Sequence, residues 1–176
     1  MAKNILTPRF IFIISVIFVG AMFRLLPHWP NFTPIAAIAL FGGTYINKKS
    51  LAFAIPIFAM LIADAFLGFH SYMLSIYLSF AIIVMIGFIL RSRVKFGSVL
   101  LASVSGSVIF FLLTNFAVWL GSPIYAQTFA GLIASYTAGL PFFNNGILGD
   151  LFYNAVIFGG FYFVQLRFPA LARVKS

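Results

Sequence analysis

The chain alternates long apolar runs with short polar, proline-rich or basic breaks. The runs cover roughly residues 10–26, 34–46, 51–67, 73–90, 97–120 and 146–166. A helix of about 20 apolar residues crosses a hydrocarbon core of about 30 Å. The pattern therefore predicts an all-α, polytopic membrane protein, with six transmembrane helices in one bundle and a single integral domain over residues 1–176. The second run is the exception: residues 34–46 would give a helix of only about 20 Å. Such a helix must be buried in the bundle or begin below its surface, and it draws the preceding loop in with it. Non-helical backbone at membrane depth is tolerated where it lines a cavity or packs in protein.

That loop, Leu25 to Pro34, holds Pro27, Pro30 and Pro34, the polar residues His28, Asn31 and Thr33, and the rings of Trp29 and Phe32. Thr33 followed by Pro34 reads as a helix start, with the hydroxyl as cap and proline at the first helical position. A second irregular stretch is the run Thr128 to Phe143, weakened by Gly139 and Pro141. As a seventh span it would carry the basic C-terminal tail to the opposite side. The expectation is a short re-entrant or capping helix on the outer face, over about 128–143, ahead of a separate last span.

Composition supports a membrane setting: 63% of residues are hydrophobic and 7% are charged, against about a quarter charged in a soluble domain. The net charge of +9 does not indicate a nucleic-acid partner, because the basic residues form short clusters between apolar runs. With six spans and the N-terminus inside, Lys3, Arg9, Lys48, Lys49, Arg91, Arg93, Lys95, Arg167, Arg173 and Lys175 all lie inside, and only Arg24 lies outside. That is the positive-inside pattern. Lys3 and Arg9 precede an apolar run as in a signal peptide, but no small-x-small cleavage site follows, so the first helix is expected to be retained. The absence of cysteine leaves redox compartment and thiolate metal sites without a signal.

The same topology gathers the unusual residues at the outer side. Asp64 and Asp150 are the two acids of the chain, each placed within about a turn of the outer end of its span. Arg24 is the one cation there, and an Arg24–Asp64 structural ion pair accounts for both at low cost. Asn115 is an amide inside the fifth span and needs hydrogen-bond partners. The expected substrate-binding set is His28, Trp29, Asn31, Thr33, His70, Asn115, Trp119, Asn145 and Asp150, with the tryptophans offering ring faces. Few charges line such a site, which favours a largely neutral, ring-containing solute. Motifs for phosphate loops, zinc peptidases and nucleophile elbows are absent, so neither catalysis nor a metal or cofactor is expected. Two other readings use the same residues differently: a structural or scaffolding subunit of a cell-envelope complex, and a membrane enzyme with Asp64 and Asp150 as a dyad.

The stretches Arg24-Leu-Leu-Pro-His-Trp-Pro-Asn-Phe-Thr-Pro34, Ala36 to Gly43, Asp64-x-x-Leu-Gly-Phe-His70, Thr114-Asn-Phe-x-x-Trp119, Pro141-Phe-Phe-x-Asn145 and Leu148-Gly-Asp150 resemble an uncharacterised family of bacterial membrane proteins to which a transport role is ascribed. In size and topology that family is similar to the substrate-binding S components of energy-coupling factor (ECF) vitamin transporters. The resemblance implies a multi-pass protein of the bacterial cytoplasmic membrane with both termini cytoplasmic. It implies an outward-facing pocket for a vitamin-like solute, and a transmembrane coupling subunit with ATPases as partner. The first span lacks the small-x-x-x-small pattern often used for that docking, so a solitary carrier is the other form the resemblance allows. For a corrinoid solute, His70 would be the residue to meet the cobalt.

Overall fold

A computed structural model describes residues 6–69 and 71–172. His70, Lys3, Arg173 and Lys175 therefore lie outside the described residues. The described chain is all-helical, in six helices and one short 3₁₀ turn: α1 (Pro8–Phe23), α2 (Ile35–Tyr45), α3 (Lys49–Leu67), α4 (Met73–Leu90), α5 (Phe96–Gly121) and α6 (Phe129–Arg167). Four of them, α3 to α6, are long and apolar enough to cross a membrane; α1 and α2 are shorter apolar helices.

The helix ends follow local chemistry. Thr7 caps α1, its hydroxyl accepting from the Phe10 N–H at 3.1 Å, with Pro8 in the first turn. Thr128 caps α6 in the same way through the Gly131 N–H at 3.2 Å. Gly68 ends α3 at φ +92°, a conformation glycine adopts at no steric cost. The expected threonine cap on α2 does not form. Asn31 turns the chain in the left-handed region at φ +63°, the Thr33 N–H donates to the Asn31 carbonyl at 3.0 Å, and α2 begins after Pro34 with no side-chain cap.

α2 is the axis of the bundle. Every residue from Ile35 to Thr44 is buried, and the helix packs against each of α1, α3, α4, α5 and α6. At about 16 Å it reaches only part of the way through; residues 25–31 of the loop before it are exposed, so the expected inward dip of that loop is limited to Phe32, Thr33 and Pro34. Its closest neighbour is α4. A Cβ on Gly43 would stand 2.3 Å from the Val84 carbonyl oxygen, and one on Gly87 would stand 2.6 Å from that of Leu40. The two backbones therefore touch, an approach that small residues permit. Around α2 lies a core of Ile13, Ile17, Ile38, Leu40, Phe41, Met60, Ile83 and Val84.

One expectation needs correction. The capping helix over 128–143 and the span over 146–166 are a single 39-residue helix, α6, about 58 Å long. Pro141 lies inside it, and Gly139 and Gly146 are helical rather than turn residues. These small residues are contact points instead. A Cβ on Gly139 would meet Asn115 Oδ1 at 2.3 Å, and one on Gly149 would meet Phe32 Cα at 3.0 Å. α6 runs antiparallel to α5 along that helix's length, tied at Ser135 Oγ to the Asn115 carbonyl (3.0 Å) and Tyr136 Oη to the Leu112 carbonyl (3.0 Å).

Successive helices alternate in direction. One end of the bundle, the loop end, carries the α1–α2 loop, the last turn of α3 and the α5–α6 turn. The other, the basic end, carries Arg9, Lys48, Lys49, Arg91, Arg93, Lys95 and Arg167. There Arg91 holds the end of α2: Nε donates to the Gly43 carbonyl at 2.7 Å, Nη1 to that of Asn47 at 3.3 Å, and Nη2 to that of Ile46.

Candidate functional site

Three elements converge below the loop end: the loop before α2, the middle of α5 and the middle of α6. With Ala36 of α2 and Phe80 of α4 they line a partly open cavity of about 60 Å³. From α5 it takes Ser107, Phe110, Phe111, Thr114 and Asn115; from α6 Gly139, Phe142, Phe143, Gly146, Ile147 and Asp150; from the loop Asn31 and Thr33. Both helical sets recur at three- and four-residue intervals, so one stripe of each helix faces the space.

The polar groups are held in place by the helices that carry them. Asn115 Nδ2 donates back to the Phe111 carbonyl at 2.9 Å. Thr114 Oγ1 does the same to Phe110 at 2.7 Å. Asp150 is 7% exposed, and Ser107 Oγ donates to its Oδ2 at 2.6 Å. Among the described residues no cation pairs with Asp150.

Asp64 has a different setting. It pairs with Arg24 and accepts from the Tyr77 hydroxyl at 2.6 Å. The two carboxyl groups thus sit in separate hydrogen-bond clusters, and no hydrogen bond joins them as a dyad. Asp150 also lies mid-helix rather than within a turn of a helix end, because α6 begins as early as Phe129.

Of the residues predicted from sequence, the structure brings Asn31, Thr33, Asn115 and Asp150 to one cavity. It does not bring His28, Trp29, Trp119 or Asn145 there. His28 is exposed, its Nδ1 2.8 Å from the Trp29 carbonyl oxygen. Trp29 is 72% exposed and meets Phe32 edge-on. Trp119 latches the α5–α6 turn: its Nε1 donates to the Ala126 carbonyl at 2.9 Å, and Gln127 Nε2 donates to the Trp119 carbonyl at 2.6 Å. Asn145 falls between the cavity-facing positions 143 and 146 of α6. Sequence reasoning missed Ser107 and the phenylalanines. The signal that could have found Ser107 is the spacing of Ser103, Ser107 and Asn115, four and then eight residues apart, along one face of α5.

A second, wider and mostly apolar cavity of about 700 Å³ opens at the basic end, walled by Tyr45, Val99, Leu100, Phe158 and Tyr162 among others, with Arg9, Arg91, Lys95, Ser103 and Asn154 as polar members. Among the described residues, no three His, Cys, Asp or Glu side chains gather as a metal site.

The molecule is thus an all-helical protein of membrane-spanning character, built round a buried short helix and a polar cavity. The chain belongs to a family of unknown function (DUF6580), whose model matches residues 4–171. No curated protein and no solved structure matches it.

Proposed function

We propose that this protein is a multi-pass carrier of the bacterial cytoplasmic membrane that takes a small solute into the loop-end cavity for uptake. The observation that carries the reading is the convergence of Asn31, Thr33, Asn115 and Asp150 on one partly open cavity. A few polar groups fixed within an otherwise apolar wall is the usual build of a small-molecule site. The loop that supplies Asn31 and Thr33 is exposed over residues 25–31 and turns inward at Phe32 to Pro34, where it meets the cavity.

The basic end faces the cytoplasm on this reading, by the distribution of lysine and arginine, so the loop-end cavity faces outward. On the S-component reading, which rests on the resemblance in sequence motifs, size and topology, a coupling subunit would be the source of energy. The cavity offers a small solute a wall of both apolar and polar groups. Five phenylalanines, including Phe80 from α4, accept its apolar part, and the amide and carboxyl oxygens accept from its N–H or O–H groups.

Native mass spectrometry of the protein extracted from its own membrane tests this. The wild type is expected to retain a small-molecule adduct that Asn115→Leu loses, and the identified compound should exchange across proteoliposomes containing the wild type. An adduct unchanged in Asn115→Leu would refute the proposal.

A further inference from the structure

The two cavities approach each other inside the bundle. Ser107 and Asp150 line the loop-end cavity, while Ser103 and Asn154 line the basic-end cleft. Each pair is one helical turn from the other, about 6 Å along the axis. All four side chains are buried, at 3% exposure for Ser103, Ser107 and Asn154 and 7% for Asp150. Two inter-helix hydrogen bonds bridge α5 and α6 across this turn. Ser107 Oγ donates to Asp150 Oδ2 at 2.6 Å, and Asn154 Nδ2 donates to Ser103 Oγ at 2.9 Å.

Asn154 is unusual in a second way. Its Nδ2 also donates to the Asp150 carbonyl at 2.8 Å, which fixes the amide orientation, because a flipped amide would set oxygen against oxygen. The Oδ1 is then left as a buried acceptor with no partner among the described residues. A buried polar group without a hydrogen bond costs about 1–3 kcal/mol, so a donor beyond the described residues would be favoured there. The cleft beside it is the space from which that donor arrives.

We infer that the basic-end cleft is the second vestibule of the solute pathway, with the buried Asn154 Oδ1 as the acceptor that a solute N–H or O–H reaches when the Ser103–Asn154 contact parts. The Ser103–Asn154 and Ser107–Asp150 bonds form the gate between the two compartments. This inference rests on the proposed carrier function. The solute class it names is a small molecule bearing hydrogen-bond donors, since each side of the gate presents an oxygen: the Asp150 carboxyl on one side and the Asn154 amide on the other. Asp150, between the two, accepts from the Ser107 hydroxyl on its side chain and from the Asn154 amide on its backbone. Opening the gate therefore disturbs both cavities at once.

The chain contains no cysteine, so single cysteines report water access directly. Ser103→Cys, Asn154→Cys, Asn115→Cys and, as a lipid-facing control on α5, Leu101→Cys are reconstituted in proteoliposomes of known orientation. A membrane-impermeant methanethiosulfonate reagent is applied to one compartment at a time. Ser103→Cys and Asn154→Cys are expected to react only from the basic-end compartment, Asn115→Cys only from the other, and Leu101→Cys from neither. Adding Ser107→Ala, which removes the hydroxyl donor to Asp150, is expected to raise labelling of Ser103→Cys from the loop-end compartment at least about tenfold. Ser103→Cys and Asn154→Cys reacting no faster than Leu101→Cys would overturn the vestibule while leaving the carrier reading intact. An unreactive Asn115→Cys beside a reactive Ser103→Cys would instead sink the carrier reading. No rise on Ser107→Ala would remove the gate.

Discussion

Replacing Arg24 by methionine leaves the Asp64 carboxylate 3% exposed with the Tyr77 hydroxyl as its remaining partner. Breaking a buried ion pair from one side costs about 3–5 kcal/mol, because the abandoned charge keeps its desolvation penalty. The pair joins the end of α1 to the last turn of α3, so the loss falls on the packing of those two helices. The assay is reversible unfolding in mixed micelles, followed by circular dichroism, for wild type, Arg24→Met, Asp64→Leu and the double variant. For a chain of this size 1 kcal/mol moves the midpoint by about 2–4 °C, so Arg24→Met should lower it by roughly 6–20 °C. The double variant removes both charges and should recover most of that loss, since an apolar pair of similar volume is often neutral. If Arg24→Met costs less than about 1 kcal/mol, or if the double variant is as unstable as Arg24→Met alone, the pair does not carry the burial argument made for it.

Other outcomes follow from single contacts. Gly43→Ala sets a methyl 2.3 Å from the Val84 carbonyl oxygen and should destabilise by about 1–3 kcal/mol; Gly160→Ala, with nothing within 4 Å, should be neutral or stabilise by up to about 1 kcal/mol in the same unfolding assay. Arg91→Lys cannot reproduce a fork that serves three backbone carbonyls and should lose about 1.5–3 kcal/mol, read as faster proteolysis between α2 and α3. Asn31→Gly should keep full stability at φ +63°, while Asn31→Val should lose about 1–2 kcal/mol.

Much of this architecture was legible in the residues. Basic clusters and apolar runs placed the ends of α1 to α5 within a few positions, because a membrane-type helix is defined by where its apolar run stops. The depth of α2 was legible as well, since a run that short must be surrounded by protein. The continuity of α6 was not. Gly139, Pro141 and Gly146 read as breaks, yet Gly139 is bare to admit Asn115 and Gly149 to admit Phe32, and local propensity does not reveal what presses on a helix from outside. The cavity divides in the same way. Asn31, Thr33, Asn115 and Asp150 stood out as polar groups in or beside apolar runs. Ser107 and the phenylalanines are ordinary residues of a membrane-type helix, and their role depends on which stripe faces inward. His28, Trp29 and Trp119 were chosen for side-chain chemistry, and packing turned them to the surface or to the α5–α6 turn.

The complete burial of α2 also bears on how the chain is made. A translating ribosome releases α2 before its closest partner, α4, and before the α5 and α6 faces that cover it. An 11-residue helix is too short to settle across a bilayer by itself. Its sequence must wait beside the insertion machinery, or lie at the interface, until α4 offers the glycine-to-glycine seat at Gly43 and Gly87. Synthesis order thus makes the centre of the finished molecule one of the last parts to find its place, and makes α4 the helix whose arrival commits it.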